Sequence, residues 1–463
     1  MILITMPYFL KYFKLSDYRI NKLNIAQIFF LLFLASLFFP IRYVFPTKEA
    51  FQTGAYSDFT SISLYLSDIF LFTTWIFAFV SRGGGFWVLL RENLSIKTFI
   101  LWLLITLIWH FSSFSSLNWW FLVKFLELIV AYETTKYLFS KTEIKPLFIR
   151  LFVILSSFQA ILGLWQFISQ KSVGLGIIGE QVLSPSLSGI AKIVSGGTVF
   201  IRAYGTFPHS NLLSVFLLSG IFFSLHLLLT SKKTTSKILF SLSVLIQTLG
   251  LTVTFSRASF LALSLGLVIY FGFLFMKASK KNEVWLSALV ILISLIIAFS
   301  IFKPYLQTRA TISDSASTER IFYSEIGLQM VKEYPVAGIG IGESVLHMQQ
   351  YSPTKLWPWQ IQPVHNYFLL SATELGILGA LILIWIFLSH LFAIIKKLQL
   401  NISFELTTYY LLLTTFLCIF LLLMQFDHYF YTLQQTQMLL WVILGIIASQ
   451  TKNPLHHLAE GDS

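Results

Sequence analysis

Four residues in the second half of the chain could together do chemistry on an anion. Three are arginines, Arg202, Arg257 and Arg320, and the fourth is His365. A guanidinium presents a planar fork of N–H donors that matches two phosphate oxygens. A histidine can take or position a hydroxyl proton near neutral pH. Singly, each arginine reads as a solvated loop residue, and His365 as a polar residue at a helix start. Together they suit holding a phosphate-like anion beside a histidine that could accept or orient a hydroxyl proton. Other chemistries have no motif here. No Gly-x-x-x-x-Gly-Lys precedes a Ser or Thr, so no ATP engine is expected. Gly338-Ile339-Gly340-Ile341-Gly342 lacks the distal acid of a dinucleotide site and reads as a flexible turn. No His/Glu cluster has zinc spacing and no acid pair suits a divalent ion, so neither metal nor cofactor is expected. Cys418 is the single cysteine, which excludes an internal disulfide.

The elements that must position these residues are apolar. Of 463 residues, 56% are hydrophobic and 11% charged, with a mean hydropathy of +0.77. Soluble proteins carry roughly 25% charged residues. The expected class is an all-α, polytopic integral membrane protein with about twelve spans. The apolar runs lie at 24–40, 62–80, 98–114, 117–136, 147–168, 209–230, 238–254, 258–276, 284–302, 366–389, 405–424 and 435–450. The formal charge of +12 sits in short loops, so it reads as a topology signal rather than a nucleic-acid surface.

With the N-terminus cytoplasmic, lysines such as Lys232, Lys233, Lys277, Lys281, Lys396 and Lys397 fall inside and Arg257 falls outside. The organisation expected is an interfacial segment 1–23, helices 1 to 9 over 24–302 with an outer loop 169–208, a large extracytoplasmic loop 303–365, three helices over 366–450, and a cytoplasmic tail 451–463. Within the large loop, Phe322, Ile326 and Met330 predict an amphipathic helix over 318–333, stopped by Pro335. Lys124 and Glu127, three apart, should neutralise each other. Glu374 falls on the helix face opposite His365, and Gly376 and Gly379 suit close helix packing. Asp427 and His428 should end the eleventh run, where they could line the same cavity.

The order of these residues resembles one family. Arg202-x-x-Gly205-Thr206-Phe207-x-His209-x-Asn211, then Ser256-Arg257-Ala258, then Arg320 before Pro335-x-x-Gly338-x-Gly340, then His365-Asn366 with Gly376 and Gly379, is similar to the O-antigen ligase and polymerase superfamily. The ligase signature of His, Asn, nine residues, Gly, two residues, Gly is complete over 365–379, which favours a ligase over a polymerase or a protein O-oligosaccharyltransferase. The resemblance implies a GT-C-like glycosyltransferase of the bacterial cytoplasmic (inner) membrane. Its donor would be a glycan on a polyprenyl (undecaprenyl) diphosphate. Its acceptor would be lipid A–core, a polysaccharide or a protein. It further implies that Arg257 and Arg320 bind the diphosphate and His365 activates the acceptor, without metal. Arg202, His209, Asn211 and Asn366 would contact the donor. A transporter or flippase is the rival from another class, but it predicts repeated halves that the sequence lacks.

Overall fold

Inside lipid a backbone must satisfy its own polar groups, and an apolar run does so by coiling into a helix. The computed structural model describes residues 22–52, 54–82, 94–111, 115–277, 279–311 and 315–451. Of the terminal segments expected above, 1–21 and 452–463 lie outside these residues. The helices are α1 (Lys22–Ser36), α2 (Leu66–Ser81), α3 (Leu94–Trp109), α4 (Ser116–Lys141), α5 (Lys145–Ser169), α6 (Ser210–Thr230), α7 (Thr234–Thr252), α8 (Arg257–Lys277) and α9 (Lys281–Thr311). They continue as α10 (Ser315–Glu333), α11 (Ser344–Tyr351), α12 (Tyr367–Leu398), α13 (Phe404–Leu423), α14 (Tyr429–Thr432) and α15 (Gln434–Thr451). Two antiparallel hairpins interrupt them: β1 (Arg42–Phe45) with β2 (Ile62–Tyr65), and β3 (Lys192–Ser195) with β4 (Thr198–Ile201).

Every apolar run read from the sequence overlaps one of these helices, although the run 62–80 begins on β2 and the run 24–40 extends past the end of α1. Among the described residues, 7 of them are long and apolar enough to cross a membrane: α5 to α9, α12 and α13. The helices α1, α2 and α3 are apolar but shorter. This is a predominantly helical, multi-pass membrane protein. Helix α4 is long but carries buried charge. Lys124 lies 2.8 Å from Glu127 and 2.6 Å from Asp68 of α2, so the i,i+3 pair is completed by a second acid.

Helix α6 is the axle of the bundle, buried around its whole circumference. Small residues let neighbours approach it: a Cβ on Gly220 would come within 2.3 Å of Ser156 Oγ on α5. Helices α6, α8 and α12 share a polarity. Each begins at the residues singled out above and runs towards a lysine cluster at its other end: Lys232 and Lys233, Lys277 and Lys281, or Lys396 and Lys397.

Helix α10 packs on the bundle rather than standing free. Its buried face is Tyr323, Ile326 and Met330, with Phe322 only partly covered. Steps of three and four residues keep a stripe straighter than two steps of four, which is why the face turns from Phe322 to Tyr323. This stripe meets Met348 of α11 and Leu356.

The Gly-Ile repeat after Pro335 is clamped rather than flexible. Ile339 N donates to Thr373 O (2.8 Å), Ile377 N to Pro335 O (2.9 Å) and Gly342 N to Glu374 Oε2 (2.8 Å). Ser344 Oγ donates to Glu374 Oε1 (2.6 Å), and Asn118 Nδ2 of α4 donates to Ile341 O (2.7 Å). The clamp explains the two glycines of α12 differently. Gly379 packs against Trp102 of α3, as a helix-packing glycine should. Gly376 instead interrupts the helix with φ +74° and ψ 171°, and a Cβ there would sit 1.9 Å from Val336 O. Only glycine occupies that backbone region at low cost. Gly376→Ala should therefore destabilise the fold by about 3 kcal/mol or more. Gly272→Ala, on a helix with nothing within 4 Å of the added Cβ, should be close to neutral. Thermal unfolding of both variants in detergent checks this.

Candidate active site

The site starts with two glutamines of α5. Gln166 accepts from Tyr204 N (3.1 Å) and Gly205 N (2.8 Å) and donates to Gly205 O (2.8 Å). Gln159 accepts from Thr206 N (2.9 Å) and donates to Phe38 O (3.0 Å). Gly205 has φ +59°, and a Cβ on it would meet Gln159 Oε1 at 2.3 Å. These bonds fix the turn that delivers His209 and Asn211 to the start of α6. His209 caps that helix, its Nδ1 accepting from Asn211 N at 3.1 Å.

Arg202, on the strand side of this turn, is buried at 6% exposure. Its Nε donates to Thr254 O, and its Nη2 donates to Asn211 Oδ1 at 2.7 Å. Asn211 Nδ2 passes the connection on to Asp427 Oδ2 (3.0 Å). Arg202 therefore ties three segments together. One of them is the turn Thr254-Phe255-Ser256-Arg257. Phe255 has φ +48°, an unusual value for an aromatic residue, held by its packing against Phe167 and Tyr305. Beyond it a hydroxyl relay, Ser256 to Ser259 (3.0 Å) to Ser214 (2.6 Å), stitches the first turn of α8 to α6. Arg257 is the first residue of α8 and is exposed.

His365 lies just before α12. Its ring stacks on Tyr323 of α10 (5.3 Å, 17°) and meets the edge of His428 (5.0 Å, 83°). Its Nδ1 is sealed from solvent and makes no hydrogen bond among the described residues, which leaves Nε2 as the nitrogen able to meet a molecule in the cavity. Asn366 caps α12 through Leu369 N (2.9 Å), and its Nδ2 donates to Gln425 O (3.1 Å). It anchors the histidine's backbone and does not line the cavity. Arg320 is half-buried on α10, one turn before Tyr323.

The remaining candidates share one cavity of about 660 Å³. Arg202, His209, Asn211, Arg257, Arg320 and His365 all line it, with Asp427 and His428. Sequence reasoning expected Asp427 and His428 at the end of the eleventh run, where they could line the same cavity, and there they stand. It missed Lys192 and the Asp58-Phe59 turn, which enter the wall from short elements that carry no motif. The signal for Asp427 and His428 was present: an acid and an imidazole directly after an apolar run.

Electrostatically the cavity favours an anion. Helices α6, α8 and α12 all start at its wall, and each contributes the positive end of its dipole. Four cations, Arg202, Arg257, Arg320 and Lys192, face three acids, and one of these, Asp58, is paired with Arg42 at 2.6 Å. Burial lowers the pKa of all three imidazoles: His209 to about 4, with Arg202 adding to the effect, and His428 to about 3. His365 is also lowered, first by burial, although Asp427 pulls the other way. Burial opposes the charge on Asp427, but the facing His428, His365 and His209 and the His428 N–H outweigh it, so the carboxyl sits below its ordinary value. The ligand atoms of His365, Asp427 and His428 lie within 4.8 Å of one another, close enough to close on a small cation. The surrounding guanidiniums compete with that occupant by charge.

An anion with two phosphoryl groups should bind here. Inorganic diphosphate should raise the melting temperature of the purified protein. Arg257→Gln or Arg320→Gln should each weaken its binding by roughly tenfold or more, since hydrogen bonds to charged groups are worth about 1.5–3 kcal/mol. Calorimetric titration reads the change directly.

Residues 242–384 match a family model described as O-Antigen ligase. The matched segment carries Arg257, Arg320, His365, Gly376 and Gly379, and it leaves Arg202, His209 and Asp427 outside. A comparison with curated proteins gives no match. Residues 242–384 of this helical multi-pass membrane protein are thus similar to the O-antigen ligase family, and the Arg257, Arg320 and His365 they carry meet at one cavity.

Proposed function

We propose that the protein is an O-antigen ligase-like glycosyltransferase. It moves a glycan from a polyprenyl diphosphate, such as undecaprenyl diphosphate, to an acceptor hydroxyl on lipid A–core, a polysaccharide or a protein. The reaction takes place at the outer face of a bacterial inner membrane, in a GT-C-like bundle of twelve spans with both termini cytoplasmic. One observation supports this above the others: Arg257, Arg320 and His365, 108 positions apart in sequence from first to last, line the same cavity. The lysine clusters at the far ends of α6, α8 and α12 support the orientation, because basic residues mark the cytoplasmic side.

The acceptor oxygen attacks C1 of the first sugar. The bond between C1 and the diphosphate oxygen breaks, and the hydroxyl proton passes to His365 Nε2. The diphosphate leaves with the bonding pair, so negative charge grows on its oxygens. Arg257 and Arg320, aided by three helix N-termini, face that charge in a partly enclosed cavity. Preorganised groups of this kind are worth about 3–4 kcal/mol each when removed singly. Displacement in one step inverts C1. The diphosphate is already an activated leaving group, so the step needs no nucleotide. Neutralisation by guanidinium makes the step independent of metal.

Purified protein supplied with a polyprenyl-diphosphate glycan and one acceptor at a time should form a glycosylated acceptor in the presence of a chelator. Arg257→Lys should lose most of the rate, roughly 100-fold, because a point charge does not replace a bidentate fork. Full activity of that variant, or metal-dependent turnover, overturns the mechanism.

The pH dependence follows from His365. The base must be neutral, and burial lowers its pKa, so kcat/KM should stay flat downward through 6.5 and fall only at lower pH. Asp427→Asn removes a charge that favours the imidazolium, so it should move this acid limb to still lower pH. A limb above 6.5, or one moved upward by Asp427→Asn, contradicts the role given to His365.

A further inference from the structure

Two exposed aromatic pairs stand beside the cavity and take no part in the chemistry described so far. Trp357 and Trp359 flank Pro358 between α11 and α12. Their indoles are parallel, 5.3 Å apart with 5° between planes, and remain 60% and 67% exposed. The turn that carries them is stiff. Trp357 N donates to Gln360 Oε1 (2.9 Å), Gln360 N to Trp357 O (2.8 Å) and Leu356 N to Gln349 Oε1 (2.7 Å). Pro358 lies close to Gly54, 3.5 Å from where a Cβ would be. That places the indoles beside the loop bearing Phe51 and Tyr56, a second exposed pair with ring centres 5.8 Å apart.

Both loops run into the cavity wall. Tyr56 Oη donates to Asp58 Oδ1 at 2.6 Å, and Asp58 and Phe59 line the cavity. Gln362 Nε2 donates to Trp359 O at 2.8 Å, and Gln362 lines the cavity three residues before His365.

We propose that this aromatic shelf at the cavity mouth binds the saccharide portion of a substrate, with sugar rings laid on the indole faces. The inference rests on the glycosyl-transfer reading above and extends it to a place for the glycan. A pyranose has a C–H face that an aromatic ring attracts and a rim of hydroxyls that amides can hold. Gln360 Nε2, Gln362 Oε1 and the Thr354 hydroxyl, which the turn's own hydrogen bonds do not use, supply neutral partners of that kind, and Lys355 is the single charged residue over 349–362. Exposed indoles also suit a lipid headgroup region. A stack pinned by three hydrogen bonds and continuous with the cavity suits an oriented ligand, whereas a lipid anchor requires neither. Contacts this far from the reacting carbon supply binding energy that positions the carbon for attack.

The test uses full-length protein in nanodiscs and two probes. One is undecaprenyl diphosphate without sugar. The other is the oligosaccharide released by mild acid from the source organism's own surface polysaccharide. The double variant Trp357→Ala/Trp359→Ala should bind the oligosaccharide about tenfold more weakly, the scale of two aromatic contacts, and keep its affinity for undecaprenyl diphosphate. Trp357→Phe/Trp359→Phe should recover part of the loss. The shelf is overturned if the alanine variant binds the oligosaccharide like the parent, or if the parent does not bind it. It is also overturned if brominated lipid quenches the fluorescence of these two indoles, which would place them in the bilayer. If the alanine variant loses both probes through misfolding, the phenylalanine variant decides: weakened oligosaccharide binding with the affinity for undecaprenyl diphosphate kept supports the shelf, and oligosaccharide affinity equal to the parent's overturns it. Failure of the parent to bind undecaprenyl diphosphate would count against the reading of the cavity, while the oligosaccharide arm still judges the shelf.

Discussion

The site depends on satisfying one buried guanidinium. Arg202 is almost fully enclosed, and a buried cation left unpaired costs about 3–5 kcal/mol. Its donors reach Thr254 O on one side and Asn211 on the other, and Asn211 reaches Asp427. Satisfying Arg202 therefore fixes the turn before Arg257, the first turn of α6 and the residue beside His428 in a single arrangement. A motif spread over three segments is held together by one charge that cannot be left alone. This gives Arg202 a structural task whatever it contacts in the cavity.

A second clamp holds the other wall. Glu374 accepts from Gly342 N and Ser344 Oγ, and the interruption of the helix at Gly376 lets the loop from Pro335 press against the helix backbone. The loop in turn leads to α11, whose Met348 helps bury the face of α10 that carries Tyr323. Tyr323 stacks on His365. The glycines of the family signature thus act at a distance from the chemistry: they set the seat of α10, and α10 sets the ring of the histidine.

Much of the fold was legible because lipid simplifies the physics. Apolar runs must be helical there, so each of the expected runs overlaps a helix. How many of them span was harder to read, since α4 carries Lys124 and Glu127 in its interior and α1 to α3 are short. The arginines and His365 were legible as types, but their meeting depends on hydrogen bonds between residues far apart in the chain. The break at Gly376 was not legible, because a Gly followed three residues later by Gly reads equally as a packing surface. Nor was the role of Asn366, whose side chain spends itself on capping. Lys192, Asp58 and Phe59 enter from hairpins and turns whose sequences carry no periodic signal.

The convergence of three helix starts and three guanidiniums has a further consequence for turnover. The field they create is permanent, and it grips whichever occupant carries the most negative charge. In the proposed reaction that occupant is the spent carrier, which has gained charge by losing its sugar. In that reaction the departing lipid would be held more tightly than the incoming one, so spent carrier would compete with fresh donor for the cavity. An enzyme of this design runs fastest where spent carrier is cleared promptly from the surrounding leaflet.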